Sequence, residues 1–250
     1  MFRNSSFFII LLGVYLGISS CNTAYRTQGY QPRSYRITDS LGQDPSMEKL
    51  LAPYREEVWR RMNDTIGFAA ITLDHKRPEG TLGNYFADAL LYMAREKYPD
   101  KVDAAVINHG GLRLNQIPVG PVTRGKIFEV MPFDNLLILQ KLSGKTLQEF
   151  VDLTAANGGW PLAGITMQIK DKKAVNVKVN GMPLDPAATY TLANSDFLAN
   201  GGDNANMLRN VPQIQNGYLM RDAFIDYIIK MRAAGKPIST IIENRVSYAE

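Results

Sequence analysis

Val102-Asp103-Ala104-Ala105-Val106-Ile107-Asn108-His109-Gly110-Gly111-Leu112-Arg113 runs from a short apolar segment into a glycine loop that closes on an arginine. Val102–Ile107 reads as a buried strand, short and bounded by a turn signal. The loop after it suits an anion, because glycines let backbone N–H groups approach a phosphate and a guanidinium offers a matching planar fork. Alone, Gly-Gly-x-Arg is a weak signal. Toward the C-terminus, Thr189–Ala193 alternates like a second strand and leads to Phe197-Leu198-Ala199-Asn200-Gly201-Gly202-Asp203, predicted as a loop leaving a sheet edge. A ring and a carboxylate on one loop suit a nucleoside. The ring can stack on a base for roughly 1 to 3 kcal/mol, and the carboxylate can accept two hydrogen bonds from a ribose diol. Taken alone, the same residues read first as a core ring beside a glycine turn. Met131-Pro132-Phe133-Asp134-Asn135 precedes the apolar strand Leu136–Leu139 and places a second ring and an amide at a strand entrance. Two rings can clamp one base from both faces.

The rest of the pattern predicts mixed helices and strands. Ser46 is placed to cap a helix from Met47 that carries Leu50, Leu51, Tyr54 and Val58 on one face. Ile66–Ile71 reads as a strand. Leu82, Phe86, Ala89, Leu90 and Met93 recur at helical spacing and read as core, which leaves Tyr85 and Asp88 outside the site. Asn180-Gly181 after Val175, Val177 and Val179 signals a hairpin, and Phe224, Ile225, Ile228 and Ile229 mark a late helix. The expected fold class is α/β (α+β), layered, with mixed sheets flanked by helices. No internal repeat is visible.

Four segments, in order, resemble the C-terminal substrate-binding domain of the 5′-nucleotidase family: Leu82-Gly83-Asn84-Tyr85-Phe86-Ala87-Asp88-Ala89, Asn108–Arg113, Pro132–Asn135 and Asp196–Asp203. The resemblance spans roughly residues 60 to 250, and the ordered set is far more specific than any one motif. It implies an α/β domain in which two aromatic residues sandwich a nucleobase. Phe133 and Phe197 match the stacking pair, Asp203 the ribose-binding aspartate and Asn135 a base-contacting asparagine. Asn108 and Arg113 match the Asn-x-Gly-Gly-x-Arg loop on the phosphate side, and Gly164 matches a glycine close to the base edge.

Two departures qualify the resemblance. Where the family places additional phosphate-holding arginines, this chain reads Thr72-Leu73-Asp74-His75-Lys76-Arg77-Pro78, so Lys76 or Arg77 fills one place and the other is lost. Lysine and arginine differ at a bidentate phosphate site; weaker phosphate affinity, a nucleoside ligand, or a merely solvated charge run all remain open. The family's enzymes also carry a metallophosphoesterase domain with two divalent metals, which this chain is expected to lack. A two-metal site needs several converging imidazoles and carboxylates, and the two histidines, His75 and His109, lie in no such pattern. No catalytic residue, metal ligand or cofactor is therefore assigned to this chain, and any two divalent metals are expected on a separate catalytic partner.

A hydrophobic share of 45% with 21% charged residues describes an ordinary globular protein. The net charge of +4 mildly favours anionic nucleotides. Lysines and arginines are scattered, without the stripe that polynucleotide binding requires, so nucleic acid is not an expected partner. Residues 1–21 read as a lipoprotein signal: Arg3 precedes an apolar run too short to span a membrane, and Ile18-Ser19-Ser20-Cys21 resembles a lipobox. Cys21 is then the lipidated residue, acyl chains provide the membrane anchor, and the protein is exported and held at the bacterial envelope, periplasmic or surface-facing. Asn22 is compatible with outer-membrane sorting. Residues 22–45 read as a flexible tether and 46–250 as the nucleotide-binding domain.

Three functions fit. The chain is the nucleotide-recognition half of a split 5′-nucleotidase-type hydrolase, completed by a separately encoded metallophosphoesterase chain; or a stand-alone nucleoside or nucleotide binder; or a degenerate interaction scaffold. Phe133, Phe197 and Asp203 argue against the last.

Overall fold

The computed structural model describes residues 29, 31–38 and 40–249. The signal segment, Cys21 and Asn22 lie outside the described residues. The chain divides into two units, residues 1–48 and 49–250. Asp44, in the first, precedes helix α1 (Pro45–Met62), whose residues from Lys49 onward belong to the second. Its Oδ1 accepts from the Ser46 N–H at 2.8 Å and the Met47 N–H at 3.3 Å. Asp44, not Ser46, is therefore the cap, with Pro45 at the first helical position, where a missing N–H costs nothing.

The second unit holds the core. β1 (Thr65–Ala69) and β2 (Leu73–Asp74) lead to α2 (Thr81–Lys97), β3 (Ala104–Val106), β4 (Gln116–Ile117), β5 (Gly120–Thr123) and α3 (Arg124–Val130). Then come β6 (Leu137–Ser143), α4 (Gly144–Ala156), β7 (Leu162–Ala163), β8 (Ile165–Lys170), β9 (Lys173–Val179) and β10 (Met182–Pro183). β11 (Thr189–Ser195), α5 (Asp196–Ala199), β12 (Gln213–Ile214), α6 (Met220–Ala233) and β13 (Val246–Tyr248) complete it. The main sheet runs β12-β6-β11-β3-β7, and a second runs β10-β9-β8-β13. β1 pairs with β5 and β2 with β4. The expected hairpin joins β9 to β10, with Asn180 at φ 50° and Gly181 at φ 81°.

The main sheet is buried on both faces, which explains the nearly unbroken apolar run of β3. Ala105, Ile107, Ala193, Leu137 and Leu139 join one core with Leu82, Phe86, Leu90, Phe224 and Ile228 of α2 and α6. Ala104, Val106, Leu192 and Leu142 join another with Leu147, Phe150 and Val151 of α4 and with the second sheet. Successive residues of one strand thus enter opposite cores, as the period of two requires. The layered α/β class holds.

The first helix behaves differently. No residue of α1 is buried, and Leu50, Leu51, Tyr54 and Val58 are all exposed. Periodicity marks a face but cannot supply its cover. Among the described residues, no helix is long and apolar enough to cross a membrane.

Candidate functional site

Register places three loops at one end of the main sheet. β3 and β11 are parallel neighbours, with Ala104 opposite Leu192 and Ala105 opposite Ala193, so their carboxyl ends point the same way. β6 is antiparallel to β11, with Leu137 opposite Ser195, so its amino end lies there too. Asn108–Arg113 follows β3, Asp196–Asp203 follows β11, and Pro132–Asn135 precedes β6. The carboxyl ends of parallel strands are where open α/β sheets place ligands. Since β11 is the central strand, the Phe197 segment leaves the middle of the sheet and not its edge.

Two of these loops are joined directly. Asn108 Nδ2 donates to Asp203 Oδ2 at 2.7 Å, across 95 residues of sequence. Asn108 is 7% exposed whereas Asp203 is open to solvent, so a buried amide orients an accessible carboxylate. Asp203 sits at φ 50°, a left-handed conformation that a short acidic side chain tolerates.

Phe197 lies on the single turn α5 and not on an irregular loop. Ser195 Oγ accepts from the Leu198 N–H at 3.1 Å and caps that turn. Asp196 Oδ1 accepts from the Leu136 N–H at 3.0 Å and from the Phe197 N–H at 2.9 Å, stitching α5 to the residue before β6. The ring is 42% exposed. Its inner face rests on Gly202, where a Cβ would stand 2.4 Å from ring carbons. Glycine is required there for close approach, and it leaves the rest of the ring available for stacking.

Phe133 is half-buried, and the Arg113 guanidinium lies 4.9 Å from its centroid. Its loop is held by a residue that the sequence reading did not single out. Arg221, 8% exposed at the start of α6, donates to the Phe133 carbonyl at 3.0 Å and to Asp134 Oδ1 at 2.5 Å. Its guanidinium also lies over the Phe128 ring at 4.1 Å. An arginine in an apolar helix face is the only sequence signal that pointed there. Asn135 is half-buried; its carbonyl accepts from the Met220 N–H at 2.9 Å, and its side-chain amide has no protein partner among the described residues.

The remaining candidates separate. Arg77 lies along Gly158 and close enough to His75 and His109 to act on both electrostatically. Lys76 pairs with Asp74 at 3.2 Å on an exposed surface. Of the two, Arg77 is the cation beside the Asn108 loop. His109 stacks on His75, with centroids 3.9 Å apart and planes inclined by 28°. Burial, then the charge of His109, then Arg77 hold His75 down at about 4; burial and Arg77 lower His109 as well. Gly164 stands apart from the others and needs correction as a base-edge residue. It follows β7 with φ 76°, and a Cβ there would meet the Asp103 carbonyl oxygen at 2.4 Å. That contact lies at the amino end of β3, roughly 15 Å of extended chain from Asn108, so close backbone packing accounts for the glycine. Among the described residues, no group of three or more His, Cys, Asp or Glu side chains converges as a metal site.

The family described as 5′-nucleotidase, C-terminal domain, matches residues 62–210. The chain belongs to that family. It is 29% identical over 199 residues to Protein UshA of Yersinia enterocolitica, covering 77% of this chain and 36% of that protein. It is 27% identical over 202 residues to a 5′-nucleotidase of Vibrio cholerae, covering 76% and 35%. A crystal structure of a 5′-nucleotidase precursor from Thermus thermophilus superposes with a TM-score of 0.70 at 27% identity, over 81% of this chain and 43% of that one. The chain thus spans well under half the length of these relatives. The segment that matches the 5′-nucleotidase C-terminal domain includes every candidate residue named from the sequence except Cys21.

Proposed function

We propose that this domain recognises nucleotides for a 5′-nucleotidase-type phosphohydrolase, with Phe133 and Phe197 stacking the base and Asp203 accepting from the ribose diol. Asn135 contacts the base, and Asn108, Arg113 and Arg77 face the phosphate side. The observation that carries this reading is the Asn108–Asp203 hydrogen bond. It joins the anion-type loop to the diol acceptor at the sheet end from which both rings emerge, so one ligand with base, sugar and phosphate can meet all three groups.

The chemistry is assigned to a metallophosphoesterase supplied by a separate chain, a reading in keeping with a chain that spans under half the length of its 5′-nucleotidase relatives. This domain's contribution is positioning. Holding a phosphoryl group in line with an attacking water removes several kcal/mol of barrier without a catalytic group in the binding half. Lipidation at Cys21 and retention at the envelope belong to the same reading, resting on the lipobox-like Ile18–Cys21. Mass spectrometry of the membrane-extracted chain should find acyl chains on Cys21, and an unmodified cysteine would remove the anchor.

Calorimetric titration with AMP and adenosine tests the pocket. Both should bind, and Phe197→Ala should weaken both. Unchanged affinity in that variant would sink the stacking assignment. A stand-alone binder is the second reading, favoured by a site that is complete for recognition within one chain; release of phosphate from AMP only when a metallophosphoesterase chain is added would decide for the split enzyme.

A further inference from the structure

The stacked imidazoles have no role in the reading above. His75 is anchored in the loop before α2, where its N–H donates to the Asn115 carbonyl at 2.8 Å, and His109 is the first residue after Asn108 in the glycine loop. Two of their nitrogens, His75 Nε2 and His109 Nδ1, are buried without a partner. With His109 Nδ1 closed off, His109 Nε2 is the nitrogen of the glycine loop available to a ligand.

The charges around the pair are unbalanced. Arg77 faces both rings from the His75 loop. The carboxylate of the site, Asp203, is engaged by Asn108. Arg113, at the far end of the glycine loop, lies over Phe133, and Lys76 turns to Asp74. Burial, and then Arg77 beside them, disfavours the charged form of both imidazoles in the free protein, and rings 3.9 Å apart disfavour carrying two charges at once. An incoming dianion reverses this balance: it offsets Arg77 and stabilises one proton on the imidazole whose nitrogen is available.

We propose that His109, backed by His75, recognises the phosphoryl group of a bound nucleotide by taking up one proton from solvent, and so makes preference for nucleotide over nucleoside depend on pH. This rests on the nucleotide reading and adds to it a specificity-determining residue. His109 supplies on demand, beside Arg77 and Arg113, the further cation that Lys76, paired with Asp74, does not supply.

The probes are AMP and adenosine, titrated into the 250-residue chain and its His109→Asn variant at pH 7.5 and 6.0. In the unsubstituted chain the AMP-to-adenosine affinity ratio should rise on acidification, relative to the variant, by up to about tenfold per pH unit. Adenosine affinity should be the same in both. A second measurement needs no variant: AMP titration at pH 6.5 in two buffers of different ionisation enthalpy. Phosphate meeting cations can only release protons, so net uptake with AMP and none with adenosine supports a protonating protein group. Adenosine binding with the same ratio and pH dependence in His109→Asn, or AMP binding without excess uptake, overturns the inference and leaves the nucleotide pocket standing. Failure of the unsubstituted chain to bind adenosine overturns both.

Discussion

The two aromatic loops reach the same end of the sheet by different means. Phe197 is held almost entirely by neighbours in sequence: the Ser195 cap, the Asp196 carboxylate and the glycine floor at Gly202. Phe133 is held from α6, by an Arg221 guanidinium that arrives 88 residues later and binds the Phe133 carbonyl and Asp134. One half of the clamp is encoded locally and the other by tertiary contact. Damage to the first should therefore remain local, whereas damage to the second should spread into stability.

The largest expected effect tests the distant support. Arg221→Ala removes a charged donor from the Phe133 carbonyl and uncovers Phe128, and should cost about 3 kcal/mol of stability in urea denaturation. The Asp134 pair adds little, since Asp134 is 80% exposed. Adenosine affinity should also fall by about tenfold or more as the Phe133 loop loosens. Stability lost with adenosine affinity intact would break the comparison. Phe197→Ala should show the opposite division, losing roughly 1 to 3 kcal/mol of adenosine affinity in calorimetry with little change in denaturation midpoint. A large loss of stability would mean that the ring is core after all.

A smaller effect is expected at the link between the loops. Asp203→Ala should abolish preference for adenosine over its 2′-deoxy analogue, a difference of about tenfold, through loss of a charge-assisted hydrogen bond. Retained preference would move the diol acceptor elsewhere. The smallest effect concerns pH. His75 is held near 4 in the folded chain, against an ordinary value of 6.5, so between those values the unfolded chain binds more protons. Stability should therefore fall as pH drops from about 6.5 toward 4, and His75→Phe, which keeps a stacking ring, should reduce that slope in thermal melts. An unchanged slope would assign the acid sensitivity to other groups.

Asn108, Arg113, Phe133, Asn135, Phe197 and Asp203 stand out as candidates in the sequence because each lies in a short motif next to a strand, where alternation and glycine punctuation are visible. Arg221 escaped because a charged residue on a helix says nothing of the carbonyls it will meet. Gly164 was misread for a related reason: a glycine demanded by backbone packing looks the same in sequence as one demanded by a ligand. The apolar stripe of α1 was legible, but its exposure was not.

The sequence alone thus determined the strands β1, β3, β6 and β11, the β9–β10 hairpin, and which rings and carboxylates stand at strand ends. These depend on contacts within a few residues, whose chemistry can be read directly. Only the tertiary structure decided that β3 and β11 run parallel, that Asn108 meets Asp203, that Arg221 fixes Phe133 and that His109 stacks on His75. Each of those joins residues far apart in the chain, and their meeting is set by strand register and core packing.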